Sequence, residues 1–299
     1  MKGKRILAAG TLFCVLAALV PALAGCSKSD KIVVGSMYFT ENKLLAEMEA
    51  QLIEKNTGLA VERKFNMDGS PICFQALKGG QIDLYPEYTG TALMTFLKRP
   101  VDSDPDRVYK TVSEEFEKQF QLSWLKPLGF NNTYAVAVTR NYAEQNGLET
   151  VSELVPLSKN LIFGAEHQFF DRSDGYQGLI KTYALAFRQS SKMDVSLKYQ
   201  ALSQGKIQAT DAFTTDGQLK ALDLVCLKDD RRFFPPYYAA PVVRDETLKK
   251  HPELRNALNK LAGKINETTM QDLNYQVDSE KKAVESVASA FLKEKGLIS

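Results

Sequence analysis

The stretch "KIVVGSMYFTENKLLAEMEAQLIEKNTGLAVERKF", Lys31 to Phe65, decides the fold. Lys31–Ser36 is a β-branched apolar run reaching a glycine, a buried strand by type. Thr40 stands where a helix N-cap belongs, with Glu41 in the first turn. Leu44, Leu45, Met48, Leu52 and Ile53 then recur at helical spacing until Asn56 or Gly58 ends the run. Leu59–Phe65 reads as a second strand. In "SPICFQALKGG", Ser70 is placed as N-cap, Pro71 at the first helical position and Gly79-Gly80 at the end. "QIDLYPEY" is a third strand; Pro86 and Gly90 exclude a helix interior, so the strand runs out into the turn "TGT". The order β-α-β-α-β predicts a mainly parallel sheet with helices on its faces.

The pattern returns downstream. "TYAVAVTR" and "LIFGAE" read as strands, "GYQGLIKTYAL" as a helix, and "QGKIQATDAFTTDG" as a helix end, a short strand and a loop. Asp104–Phe120 is a polar–apolar helix between the halves. Helical runs at Glu246–Lys250, Glu253–Ile265 and Thr268–Leu292 close the chain, and such final helices return to the first unit. Extended segments flanked by aromatics place two crossings near Thr133–Val136 and Tyr238–Val243. The expected organisation is one lobe of residues 31–134 plus 239–299 and a second of 135–238.

Residues 1–25 read as a secretory signal. Lys2, Lys4 and Arg5 precede an apolar run from Ile6 to Val20, and Ala22, Ala24 and Gly25 lead to Cys26. The run is short for a span of ~20 residues. "LAGC", Leu23–Cys26, resembles the lipobox of bacterial lipoproteins, which implies cleavage before Cys26 and a lipid on its thiol. Residues 26–30 are then a tether, and the localisation is extracytoplasmic, anchored to the bacterial cell membrane. The whole chain carries a formal +2. Losing those three cations and no acid leaves −1, so no basic reserve exists for nucleic acid. Cys73 and Cys226 either pair or sit apart as small buried hydrophobes. With His167 and His251 the only histidines, and no Cys-x-x-Cys, neither a metal site nor a cofactor is expected.

Signatures of catalysis are missing: no nucleophile elbow, no His-Glu-x-x-His, no phosphate loop and no dinucleotide fingerprint. Asp83, Glu87, Asp211 and Asp216 could supply paired carboxylates for a secreted enzyme, the distant alternative, but Asp211 and Asp216 read as turn caps and Glu87 as a solvated or salt-bridged loop residue. His167 reads as a hydrogen-bonded structural residue. The protein is therefore read as a non-enzyme. What gathers at predicted strand ends is aromatic. In open parallel sheets ligands bind beyond the carboxyl ends of strands, and several ring faces turned to one point hold a cation, above all a quaternary ammonium that donates no hydrogen bond. Tyr88, Tyr134 and Tyr237 come from separate loops and both halves. Tyr85, Phe170, Phe233, Phe234 and Tyr238 are assigned to core edges.

Six segments, "VVGSMYFTENKLLAEM", "ALKGGQIDLYPEYTGTAL", "NNTYAVAV", "DRSDGYQGL", "DAFTTDG" and "FFPPYYAAPVV", occur in order. Together they resemble the substrate-binding proteins of osmoprotectant ABC transporters, those for glycine betaine, choline and carnitine, over nearly all of Lys31 to Ser299. The resemblance implies an α/β fold of two lobes, type II among periplasmic binding proteins, each a mixed, mainly parallel sheet flanked by helices. It also implies a monomer that closes on a small quaternary amine and delivers it to a permease driven by a separate ATPase. Carried over residue by residue, it places an aromatic cage at Tyr88, Tyr134, Phe213 and Tyr237. Thr91 and Arg172 anchor the carboxylate or hydroxyl end, with a further contact at Met37. The family commonly has tyrosine where Phe213 stands and Lys or Gln where Met37 stands. A thioether does not replace a charged contact, so the resemblance also admits another betaine, such as ergothioneine.

Overall fold

The computed structural model describes residues 31–172 and 174–299. In the first part of the chain β1 (Lys31–Met37), α1 (Thr40–Thr57), β2 (Ala60–Met67), α2 (Gly69–Lys78) and β3 (Leu84–Tyr88) follow the predicted order. β3 enters a helical turn, α3 (Thr89–Thr91), and a π-helical stretch at Ala92–Phe96; α4 (Pro105–Phe120) and β4 (Leu122–Trp124) complete this part. Then come β5 (Tyr134–Thr139), α5 (Arg140–Asn146), α6 (Val151–Ser158), β6 (Ile162–Glu166), α7 (His167–Asp171), α8 (Tyr176–Tyr183), β7 (Gln189–Met193), α9 (Val195–Ser203), β8 (Ala209–Phe213), α10 (Gly217–Ala221) and β9 (Leu224–Leu227). The chain returns through β10 (Ala239–Arg244) and ends in α11 (Asp245–Lys250), α12 (Glu253–Asn259), α13 (Glu267–Asp278) and α14 (Val284–Glu294).

Helix starts depart slightly from the sequence reading. Phe39, with extended dihedrals, caps α1, and Thr40 is its first helical residue. Asp68 rather than Ser70 caps α2, because the chain turns helical already at Gly69. The last predicted helix is two, α13 and α14, separated at residues 279–283.

Two five-stranded sheets result, ordered β2-β1-β3-β10-β4 and β7-β6-β8-β5-β9. The orders correspond strand for strand, so the lobes are related by an internal pseudo-symmetry. Within each, four strands run one way and one runs against them. β10 is antiparallel to β3 and β4, and β5 to β8 and β9. The reversed strand is in each case the one that arrives from the other lobe. The two passages lie at residues 125–133 and 228–238, just upstream of the segments read as crossings, which are themselves buried strands. Side by side, the passages pair at Asn131 and Tyr238, and the Asn132 N–H donates to the Tyr237 carbonyl.

Each lobe has its own apolar core. One contains Leu44, Leu45, Met48, Tyr85, Phe116 and Val242; the other contains Val136, Phe163, Phe169 and Tyr183. Tyr85 is fully buried, as assigned from sequence, with its hydroxyl donated to Glu87. Cys73 and Cys226 are free, one in each lobe. Helix α13 also reaches the second lobe: Gln271 and Asn274 donate to the carbonyls of Thr214 and Thr215, and Lys220 pairs with Asp272.

Pro86 stands directly opposite Pro241. Neither has an N–H to exchange, so each turns its unpaired side outward, past the last rung of its other neighbour. There the Pro86 carbonyl accepts from the Asn42 side chain and the Pro241 carbonyl from the Leu125 N–H.

Candidate functional site

The carboxyl ends of β1, β3, β6 and β8 and the amino ends of β5 and β10 face one cleft between the lobes, of about 800 Å³. Met37, Tyr88, Thr91, Tyr134, Arg172, Phe213 and Tyr237 all line it. The pseudo-symmetry explains the gathering: Tyr88 ends β3 as Phe213 ends β8, while Tyr237 precedes β10 and Tyr134 opens β5. Phe170, Phe233, Phe234 and Tyr238 are absent from the lining.

Tyr134 and Phe213 are opposed across the β5–β8 ladder, their ring centroids 4.4 Å apart. Phe169 supports the Tyr134 ring from behind at 5.1 Å. Across the cleft Phe39 lies 6.1 Å from Tyr88. The Tyr237 ring rests on Gly90; a Cβ there would lie 2.8 Å from the ring carbons and 2.7 Å from the Pro236 carbonyl oxygen. The turn "TGT" therefore has glycine at its centre because an aromatic side chain lies flat on the backbone.

Arg172 is held in place by Asp174. Its Nε and Nη2 donate to the two carboxylate oxygens at 2.7 and 2.6 Å, and Nη2 also reaches the Tyr237 hydroxyl at 3.2 Å. The guanidinium carbon stands 5.5 Å from the Tyr134 ring centroid, a cation–π contact made within the chain. Nη1 makes no hydrogen bond among the described residues and is left for an acceptor in the cleft. Met37 is buried, its sulfur accepting from Ser70 at 3.2 Å.

Several site residues escaped the sequence reading. Glu41 is buried at the cleft floor and accepts from the Tyr88 hydroxyl (2.7 Å), Asn132 (2.8 Å) and Asn274 (3.3 Å). Loss of water raises its pKa above the usual carboxylate value, against those hydrogen bonds. Glu166 accepts from the Tyr134 hydroxyl at 3.0 Å. In the lobe behind it, Lys198 and Asp211 form a fully buried pair at 2.8 Å. The only local signal was position: Glu166 ends β6, and Glu41 comes four residues after the end of β1. His167, read as a structural hydrogen-bonded residue, is instead exposed on the cleft wall. The four acids weighed for catalysis serve the fold. Asp83 accepts from the Val33 N–H and Thr247, Glu87 from Tyr85 and the Tyr88 N–H, Asp211 from Lys198, and Asp216 from Tyr199 and the Phe213 N–H.

Two lobes of this topology, joined by paired passages around a ring-lined cleft, have the architecture of type II periplasmic substrate-binding proteins. More particularly, the chain belongs to the family of substrate-binding domains of ABC-type glycine betaine transport systems, whose profile matches residues 30–294. It is 43% identical over 290 residues to the ergothioneine transport permease/ergothioneine binding protein EgtU of Helicobacter pylori, covering 96% of this chain and 52% of that one. The chain thus spans about half the length of that relative. It is 37% identical to the carnitine transport binding protein OpuCC of Listeria monocytogenes, over 91% of this chain and 89% of that one. A crystal structure described as a glycine betaine/carnitine/choline ABC transporter superposes with a TM-score of 0.86 at 36% identity, covering 89% of this chain and 99% of that one. These relatives are transport proteins rather than enzymes. No helix among the described residues is long and apolar enough to cross a membrane.

Proposed function

We propose that the protein is the extracytoplasmic receptor of an ABC importer for a trimethylammonium solute such as glycine betaine, choline or carnitine. Tyr88, Tyr134, Phe213 and Tyr237 hold the methylated nitrogen, and Arg172 and Thr91 engage the opposite end. Residues 1–25 are the signal, Cys26 the lipidated residue and 26–30 the tether. The receptor works as a monomer that hands its ligand to a permease with its ATPase. The observation that carries this reading is the convergence of those rings from both sheets on one cleft.

The energetics require closure. Each cation–π contact contributes ~0.5 kcal/mol when wet and ~2 when dry. A charge-assisted bond from Arg172 adds ~1.5–3, and association subtracts several kcal/mol. Micromolar affinity needs about −8 kcal/mol. Only a cleft that sheds its water reaches that figure.

A second reading keeps the role and changes the cargo to ergothioneine, a betaine with a thio-imidazole ring. It is favoured by the thioether of Met37 where the family has Lys or Gln, and by likeness to the ergothioneine binding protein. Calorimetry with choline, glycine betaine, carnitine and ergothioneine separates the readings. At least one is expected to bind micromolar or tighter, and Tyr88→Ala or Tyr134→Ala to weaken it at least tenfold. Absence of binding to all four refutes both readings.

A further inference from the structure

Of the carboxylates around the cleft, two are paired with cations; among those that are not, Glu41 and Glu166 are bonded to cage tyrosines, whereas Asp194, Asp216 and Asp278 are not. Asp174 is neutralised by Arg172 at 2.6 Å and Asp211 by Lys198 at 2.8 Å. Glu41 and Glu166 have no cation within salt-bridge distance among the described residues. Their hydrogen-bond donors are neutral, and in each case one donor is the hydroxyl of a cage tyrosine: Tyr88 for Glu41 and Tyr134 for Glu166. Each lobe therefore contributes one tyrosine–glutamate pair, ring toward the cleft and carboxylate at its hydroxyl.

The floor has a surplus of acceptors as well. Asn132 and Asn274 turn their amide N–H groups to Glu41, and the carbonyl oxygens Asn132 Oδ1 and Asn274 Oδ1 are buried with no partner within the chain. Glu41 is buried and Glu166 half-buried, and negative charge taken out of water without a counter-ion is costly. Desolvation is tolerable when the missing charge arrives with the ligand. An anionic acceptor on a phenol also raises electron density in the ring, which strengthens its attraction for a cation on the face.

We propose that Glu41 and Glu166 supply the counter-charge for the ligand's ammonium group and thereby make the cage select a permanent cation over a neutral molecule of the same shape. They act in part through Tyr88 and Tyr134, so they are positioning residues as well as charges. The inference rests on the trimethylammonium reading above.

The test uses matched pairs differing only in nitrogen or carbon at the quaternary centre: choline against 3,3-dimethylbutan-1-ol, and glycine betaine against 3,3-dimethylbutanoate. Glu166→Gln is the cleaner variant, because an amide oxygen still accepts the Tyr134 hydroxyl. Glu41→Gln would set an amide N–H₂ against a donor on one side, so it is read together with its melting temperature. In competition calorimetry Glu166→Gln is expected to weaken the ammonium member of each pair about tenfold and its carbon analogue less than twofold, if at all. The ammonium/carbon ratio then shrinks about five- to tenfold or more, and Glu166→Asp restores part of it. Equal losses for both members of a pair, or an unchanged ratio, overturn the counter-charge role while leaving the receptor reading intact. Wild-type protein that binds none of choline, glycine betaine, carnitine and ergothioneine overturns both.

Discussion

Gly90→Ala adds one methyl group at the point where the chain is most crowded around the cleft. The new Cβ would stand 2.7 Å from the Pro236 carbonyl oxygen and 2.8 Å from Tyr237 Cδ1 and Cε1. Ordinary carbon contacts begin near ~3.5 Å, so the 236–237 passage must retreat by roughly 0.7 Å. Overpacking of this kind costs ~1–3 kcal/mol, offset by the ~0.4–1 kcal/mol that alanine gains by restricting the unfolded chain. The net loss is about 0–2.6 kcal/mol, or up to several degrees in melting temperature for a chain of this size. Affinity falls too, since a Tyr237 ring moved off its seat forfeits much of one desolvated cation–π contact, ~0.5–2 kcal/mol or about 2- to 30-fold. Thermal unfolding without ligand and calorimetry with the preferred ligand read the two effects. A variant that melts at or above wild type and binds within twofold of it refutes the idea that the turn exists to seat that ring.

Removing the guanidinium divides the ligands. Arg172→Gln is expected to weaken glycine betaine about 10- to 100-fold through loss of a charge-assisted bond to its carboxylate, and choline less than threefold. Equal losses in calorimetry would show that Arg172 only props up the site. Glu87 gives a pH signature: burial pushes its pKa up to about 7, against hydrogen bonds from the Tyr88 N–H, Tyr85 and Ser70. The folded protein thus holds a proton that the unfolded chain has released between about pH 4.5 and 7. By linkage this contribution to stability is present at low pH and is lost as pH rises across that window, about 3 kcal/mol in all. Urea unfolding at pH 5 and pH 7.5 is expected to show a smaller pH difference in Glu87→Gln than in wild type. The remainder belongs to Glu41, Glu49, Asp211 and Asp216, whose pKa values burial raises in the same direction. An identical difference in both proteins refutes the assignment.

Much of the fold was legible because its signals are local. Strands such as Lys31–Met37 and helices such as Thr40–Thr57 declare themselves by period, and their alternation dictates a mainly parallel sheet. Seven residues named from sequence face one cleft because strand ends in such sheets share an edge. Glu41 and Glu166 were silent for the opposite reason. Glu41 looks like an ordinary first-turn helix acid, and only the fold brings it to Tyr88, Asn132 and Asn274, which lie 47, 91 and 233 positions away. Lys198 likewise reads as a surface lysine until β8 sets Asp211 beside it in the interior. Helix starts shifted by one or two residues because dihedrals, not residue preference, decide where the first turn closes.

The facing prolines of β3 and β10 have a consequence for how such a receptor changes its diet. Sliding either strand by one position would put a ring nitrogen where the neighbour offers a carbonyl, and a slip of β3 would flip Tyr88 to the opposite side of the sheet. Substitutions beside the cleft, such as a thioether at 37 or a phenyl at 213, are thus made on rails that do not shift. Side chains at the cleft can change while the register that aims Tyr88 at it stays locked.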